Sequence, residues 1–331
     1  MSAAIATKRE QSVRKANHLI QKSRHQLSVA EQKAILYICS MIKPTDESLE
    51  YEIEIADYIK VCGMVNSGTN YEDVKNTLKL LRDKSWYLPP DENGDEVLVG
   101  WLAKARTNKK TGLAKIVIDE DLKPFLLNVS ERFTQYQLIN ILGLTSSYAI
   151  HLYEVLKSRE WVGHWIVSVD DFKHQFIINK IKTYDKWAQV KRKVIDVAVN
   201  QINNHTDLNV EYLDNGIQGR KTTQIAFRIQ SKSDREFQEV KKQLHDILDN
   251  YSSLEEEKAD KNLWQWANKA KKKEKTGKEN IPISSRKSRI VEPIPEWYIR
   301  MKNEESESNI DVDFNRSEPP EGQTTIFDEF E

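Results

Sequence analysis

Apolar residues fall along most of the chain in two rhythms, one helical and one alternating, and the order of these rhythms occurs twice. Ser28, Val29, Ala30 and Glu31 make a capping box, which predicts an amphipathic helix over Gln32 to Ile42. Its counterpart runs from Tyr148 to Lys157, opened by Thr145, Ser146 and Ser147, with Ala149, Leu152, Tyr153 and Leu156 at helical spacing. A short alternating strand then leads into a short helix in each copy: Ile53 and Ile55 before Tyr58 to Met64, Ile166 and Val169 before Asp170 to Ile177. A longer helix follows, its inward stripe formed by Val74, Leu78 and Leu81 in the first copy. In the second copy the stripe is Trp187, Val190, Val194, Val197 and Ile202. Two β-rich runs around a turn close each copy. Val97 to Ala105 and Ala114 to Ile118 flank Asn108 to Gly112, and Leu208 to Tyr212 and Thr222 to Ile229 flank Asn215, Gly216 and the residues up to Lys221.

Helix, strand, helix, helix, hairpin is the order of a winged helix-turn-helix. Residue identities pair along the two copies at a constant offset (170 − 57 = 113), with Asp57 on Asp170 and Tyr71 on Tyr184. The predicted fold class is therefore α+β and helix-rich: two tandem winged helix-turn-helix domains, at 1–132 and 133–232, followed by a largely disordered C-terminal tail over 233–331 that begins helical.

Charge supports the division. The whole chain of 331 residues carries 50 Lys plus Arg against 51 Asp plus Glu, which predicts no partner of either sign. From Ser233 onward, however, there are 17 basic and 23 acidic residues, leaving 33 basic and 28 acidic in the body. A net of +5 is thus tied to a net of −6. The body's cations collect at equivalent places. Lys75, Asn76 and Lys79 lie opposite the buried stripe of the first long helix. Lys186, Gln189, Arg192 and Lys193 do so on the second, with Lys191 on its flank. These residue types contact guanine, adenine and phosphate in the major groove. A Lys/Arg face on a lone helix is as often merely solvated. Here both hairpin tips are basic as well, Arg106, Lys109 and Lys110 in one and Arg220 and Lys221 in the other, and a wing beside a recognition helix grips the adjacent phosphates. Four basic patches at equivalent places favour double-stranded DNA.

Chemistry is sparse. Gly63 to Gly68 lacks the lysine of a phosphate-cradling loop and reads as a connection between helices. The seven histidines include no H-x-H pair, and Cys39 and Cys62 read as reduced core thiols. Asp170 and Asp171 read as helix N-caps. No catalytic residue, metal or cofactor is expected, so the chain is not expected to be an enzyme. No signal peptide or membrane span is expected either, which predicts a cytoplasmic protein.

Several stretches resemble one family. Asn17-His18-Leu19-Ile20, Leu27 to Lys33, Phe133-Thr134-Gln135-Tyr136 and Tyr148 to Lys157 are similar to iteron-type plasmid replication initiators, a Rep family with two winged-helix domains. So are Lys191 to Ile195 and Ile202 to Tyr212, the most specific of these stretches, and the similarity covers about residues 12 to 230. The resemblance implies a bacterial protein acting on plasmid DNA. Its monomer would bind origin repeats, help open the duplex and recruit host replication proteins. Its homodimer, formed through the first domain, would repress its own promoter. The second long helix would be the main reader of the repeat. His151 departs from the pattern, standing near a position where many members carry Arg. A repressor of the same fold without an initiation role is the alternative. In the tail, Gln323, Ile326 and Phe327 resemble the Q-x-x-[LI]-F peptide that engages the polymerase sliding clamp, and an apolar island at Pro293 to Tyr298 could dock a helicase, its loader or the protein's own body.

Overall fold

The computed structural model describes residues 3–253 apart from 23, 25, 65–68, 89, 91–92, 128–131 and 219–220. The expectations for the tail beyond 253, including the clamp-like peptide and the apolar island, lie outside the described residues.

The chain enters through α1 (Ala3–Arg9), β1 (Ser12–Ala16) and α2 (Asn17–Lys22). The first copy then reads α3 (Val29–Cys39), β2 (Glu50–Glu54), α4 (Ile55–Val61) and α5 (Asn70–Asp83). A small ribbon follows, β3 (Ser85–Tyr87) with β4 (Leu98–Gly100), before the hairpin β5 (Leu102–Asn108) and β6 (Leu113–Ile118). α6 (Lys123–Leu126), β7 (Phe133–Gln137) and α7 (Ile139–Leu142) lead to the second copy. This comprises α8 (Ser147–Lys157), β8 (His164–Ser168), α9 (Val169–Gln175), α10 (Trp187–Val190), a π turn (Lys191–Ile195) and α11 (Asp196–His205). The hairpin β9 (Leu208–Gln218) and β10 (Lys221–Ser231) and a last helix, α12 (Asp234–Ser253), complete it.

The repetition is visible in the sheets. β2, β6 and β5 lie in the order β2-β6-β5, and β8, β9 and β10 in the order β8-β10-β9, both antiparallel. In each, the hairpin's second strand sits centrally and pairs with the strand that precedes the helix-turn-helix, Ile53 opposite Ala114 and Ile166 opposite Ala226.

Local signals hold at several ends and slip at others. Ser28 Oγ accepts from the Glu31 N–H, and the Glu31 carboxylate accepts from the Ser28 N–H at 2.6 Å, but the helix they cap starts at Val29 and stops at Cys39. At α9 the cap is Ser168 rather than Asp170 or Asp171. Ser168 Oγ accepts from the Asp171 N–H at 3.0 Å and donates to its carboxylate at 2.7 Å. The inward stripe of the second long helix also differs from expectation. Val190, Val194, Ala198 and Ile202 are buried, Trp187 is half-buried and Val197 is exposed. The π turn inserts one residue into the α-helical count, which swings Val197 out and Ala198 in.

Long-range contacts bind the copies into one body. β1 pairs antiparallel with β7, Ser12 opposite Gln137 and Ala16 opposite Phe133, so a strand from the chain's start lines the entry to the second copy. Lys15 on β1 meets Glu154 on α8 at 2.8 Å, both side chains being under a tenth exposed. α12 returns from the second hairpin to the first copy. The fully buried Arg9 donates to Asp249 at 2.8 Å and to the carbonyls of Lys60 and Val61, while Glu10 pairs with Lys241 at 3.3 Å. Gly63, with φ of 61°, closes α4, and a Cβ there would stand 2.7 Å from the Leu248 side chain.

His151 lies on α8 with its ring edge-on to Phe176, centroids 4.8 Å apart. Its surface is mostly covered, and burial, helped by the Lys15 cation and opposed by Glu154, lowers its pKa to about 4. An unfolded histidine titrates near 6.5, so between roughly 4 and 6.5 the unfolded chain binds more protons. Stability is therefore complete above about pH 6.5 and falls as pH drops through that window, by on the order of 2 kcal/mol once partial solvent contact is allowed for. Urea melts from pH 7.5 to 4.5 should show this loss, and His151→Leu should reduce it relative to wild type.

Candidate nucleic-acid interface

In both copies the wing lies beside the start of the longer helix, closely tied to it in the second and loosely in the first. Asp214 on β9 accepts from Trp187 Nε1 at 2.9 Å, and its other oxygen pairs with Lys191 Nζ at 2.6 Å. In the first copy, Lys109 at the wing tip lies 4.0 Å from Glu72 and 5.9 Å from the centre of the Tyr71 ring. An aromatic residue at the helix start thus meets its own wing twice, Tyr71 in one copy and Trp187 in the other. The sequence offset had set Tyr71 against Tyr184. The buried residues shift it, with Val74 and Leu78 corresponding to Val190 and Val194.

The predicted contacts distribute around these joints. On α5, Lys75, Asn76 and Lys79 are exposed, Lys75 lying 3.5 Å from Glu72. Arg106 on β5 and Lys109 and Lys110 in the turn are exposed. That turn is set by Asn108, whose side-chain oxygen accepts from the Lys110 N–H at 3.0 Å, and by Gly112 at φ of 70°. Lys186 is exposed just ahead of α10. Arg192 and Lys193 are exposed in the π turn, and Gln189 is half-buried, accepting from Arg192 Nη2 at 3.0 Å. Lys191 is held by Asp214 against the wing rather than facing outward with its neighbours. Lys221 opens β10 opposite Gln218, and Arg220 lies outside the described residues.

A π turn is rare, and here it holds Arg192 and Lys193, two of the exposed cations that the sequence predicts to contact DNA. Asp214 and Glu72 carry no signal in the sequence, and Tyr71 entered there only as a position of the repeat. Asp214 is 27 positions from Trp187, and no local rule links them. Lys180 and Lys182 are further exposed cations in the turn before α10, legible only as a basic run between helices. Among the described residues no group of His, Cys, Asp and Glu is placed to hold a metal ion, and no helix is long and apolar enough to cross a membrane. Both cysteines are buried, and burial raises their thiol pKa values, Cys39 to about 12 and Cys62 to about 11.

Residues 12–157 match the first winged-helix domain of the initiator replication proteins, and residues 168–229 match the second. The chain belongs to the Rep initiator family. This initiator is 24% identical over 214 residues to an uncharacterized 27.6 kDa protein of Escherichia coli, covering 60% of this chain and 88% of that protein. Its fold is shared with the Pi initiator protein, solved in complex with iteron DNA, at 20% identity and a TM-score of 0.56 over 68% of this chain and 99% of the other. The first family match runs through Lys157 and so takes in α8, a helix that packs against α11 of the second copy as well as α3 of the first.

Proposed function

We propose that this initiator binds tandem origin repeats of a plasmid through both winged-helix domains and starts replication without catalysis of its own. The observation that carries the reading is the repeated joint between a basic wing and the start of a basic helix, Lys109 with Tyr71 and Glu72 in one copy and Asp214 with Trp187 and Lys191 in the other. Two such joints on one chain suit a repeated site on a continuous duplex, as does the shared fold of a relative solved with iteron DNA. The main reader is the second helix, with Lys186, Gln189, Arg192 and Lys193 on bases and phosphates and Lys221 and Arg220 on the flanking backbone. The first domain adds phosphate contacts through Lys75, Asn76, Lys79, Arg106, Lys109 and Lys110 and also forms the homodimer that represses. In the tail, Gln323, Ile326 and Phe327 engage the host sliding clamp, and other host replication proteins, a helicase or its loader among them, are recruited at the opened origin. The protein works in the cytoplasm on plasmid DNA.

Arg192 is the test of the helix assignment. Arg192→Ala should weaken repeat binding by ~1–3 kcal/mol and relax base preference, whereas Lys110→Ala should weaken all sequences alike and lower the slope of affinity against salt. Titrations of labelled repeat and scrambled DNA at several salt concentrations measure both. Unchanged repeat binding by Arg192→Ala removes α10 and the π turn as the reader.

A further inference from the structure

Ile177 has φ of 55°, and among the described residues it is the only non-glycine at positive φ. A β-branched side chain is among the least suited to that conformation, because Cβ crowds the backbone carbonyl. The residue sits in the turn between α9 and the helix that follows. The same turn in the first copy has glycine: Gly63, φ 61°. The two turns are built alike. The Gly63 N–H donates to the Lys60 carbonyl and that of Met64 to Ile59. The Ile177 N–H donates to the His174 carbonyl and that of Ile178 to Lys173. Buried Ile55 and Tyr58 on α4 correspond in the same register to buried Val169 and Phe172 on α9. One backbone design thus carries the residue that suits it in one copy and a residue that strains it in the other.

Burial does not account for the exception. Phe176 and Ile178, on either side, are buried, whereas Ile177 keeps part of its side chain in solvent. The exposed cations Lys180 and Lys182 follow it and the exposed His174 precedes it in the chain, on the approach to the helix bearing Arg192. A local rule broken at a residue that is only partly buried points to a functional position. We propose that Ile177 is a specificity-determining residue, its methyl groups forming an apolar contact with DNA, to a thymine methyl or a deoxyribose, at the entrance to the recognition helix. The inference rests on the repeat-binding reading above and adds a residue to it.

The test uses the full chain with Ile177→Gly, which frees the backbone, and Ile177→Asn, which tolerates positive φ while keeping a branched polar side chain. Both variants should unfold at higher urea than wild type, because strain is relieved. Both should bind repeat DNA about three- to tenfold more weakly, with affinity for scrambled DNA unchanged. Replacing repeat thymines by uracil one at a time separates the two sources. A loss for wild type at one position that the Asn variant does not share assigns the contact to a thymine methyl, and uniform binding assigns it to deoxyribose. Wild-type affinity in both variants overturns the contact, as does loss in the Gly variant alone, which would report backbone looseness. Lower urea midpoints in both variants overturn it by making Ile177 a packing residue. Wild-type protein that does not distinguish repeats from scrambled DNA overturns the repeat-binding reading itself, and the contact with it.

Discussion

Glu154→Ala should cost this initiator about 3–5 kcal/mol of stability, the loss typical of an ion pair broken inside a protein. Glu154 Oε1 takes Lys15 Nζ at 2.8 Å and the Tyr136 hydroxyl at 2.7 Å, with the Lys15 ammonium 5.7 Å from the centre of the Trp101 ring. Truncation strands a buried ammonium and a buried hydroxyl, and neither can reach water without opening the packing between β1, β7 and α8. A urea-unfolding midpoint measures the loss. Replacing both ions, Lys15→Met with Glu154→Leu, should recover much of it, and adding Tyr136→Phe should recover more, because apolar groups of similar volume carry no desolvation cost. If the single and multiple variants lose the same amount, the site is held by shape alone.

Phe172→Ala should cost a similar ~3–5 kcal/mol, centred on the second domain. Phe172 is fully buried at the middle of an aromatic cluster. Its ring lies 4.4 Å from Phe176 and 6.2 Å from both Trp165 and Phe227, with Trp187 edge-on at 6.4 Å. Aromatic pairs in offset or edge geometry add to what their burial provides. Two of these partners also adjoin the proposed DNA-binding side: Phe176 leads into the turn at Ile177, and Trp187 starts α10 against Asp214. The substitution should therefore lower repeat affinity at temperatures where the chain is still folded, and Phe172→Leu should do so much less. Hydrogen exchange in α9 and β10 would locate the loss. Protection lost evenly across both domains would contradict it.

The two-domain plan was legible because its signals are local. The Ser28–Glu31 box, the Asn108–Gly112 turn and the alternation around Ile53 and Ile166 each depend on neighbours a few positions away. Contacts between distant segments left no such mark. Nothing near Ser12 points to Gln137, and Arg9 gives no sign that it will be sealed by Asp249 from α12. Periodicity failed where the helix departs from its ideal turn: the π turn at Lys191–Ile195 put Val197 outside. Among the residues proposed to bind DNA, exposure of Arg192, Lys193, Lys75 and Lys79 followed from the opposite, buried stripe. The use of Lys191 as a brace to Asp214 depended on a strand 23 positions away.

The central claim is that both domains of one chain read repeated DNA at an origin. Selecting fragments of the protein's own replicon bound by the full chain, then footprinting them, tests it most directly. The account predicts protection of several tandem repeats in a common orientation, with strand distortion in an adjacent A·T-rich segment when host replication proteins are present. Protection confined to a single operator, with no distortion beside it under those conditions, would contradict initiation and leave a repressor.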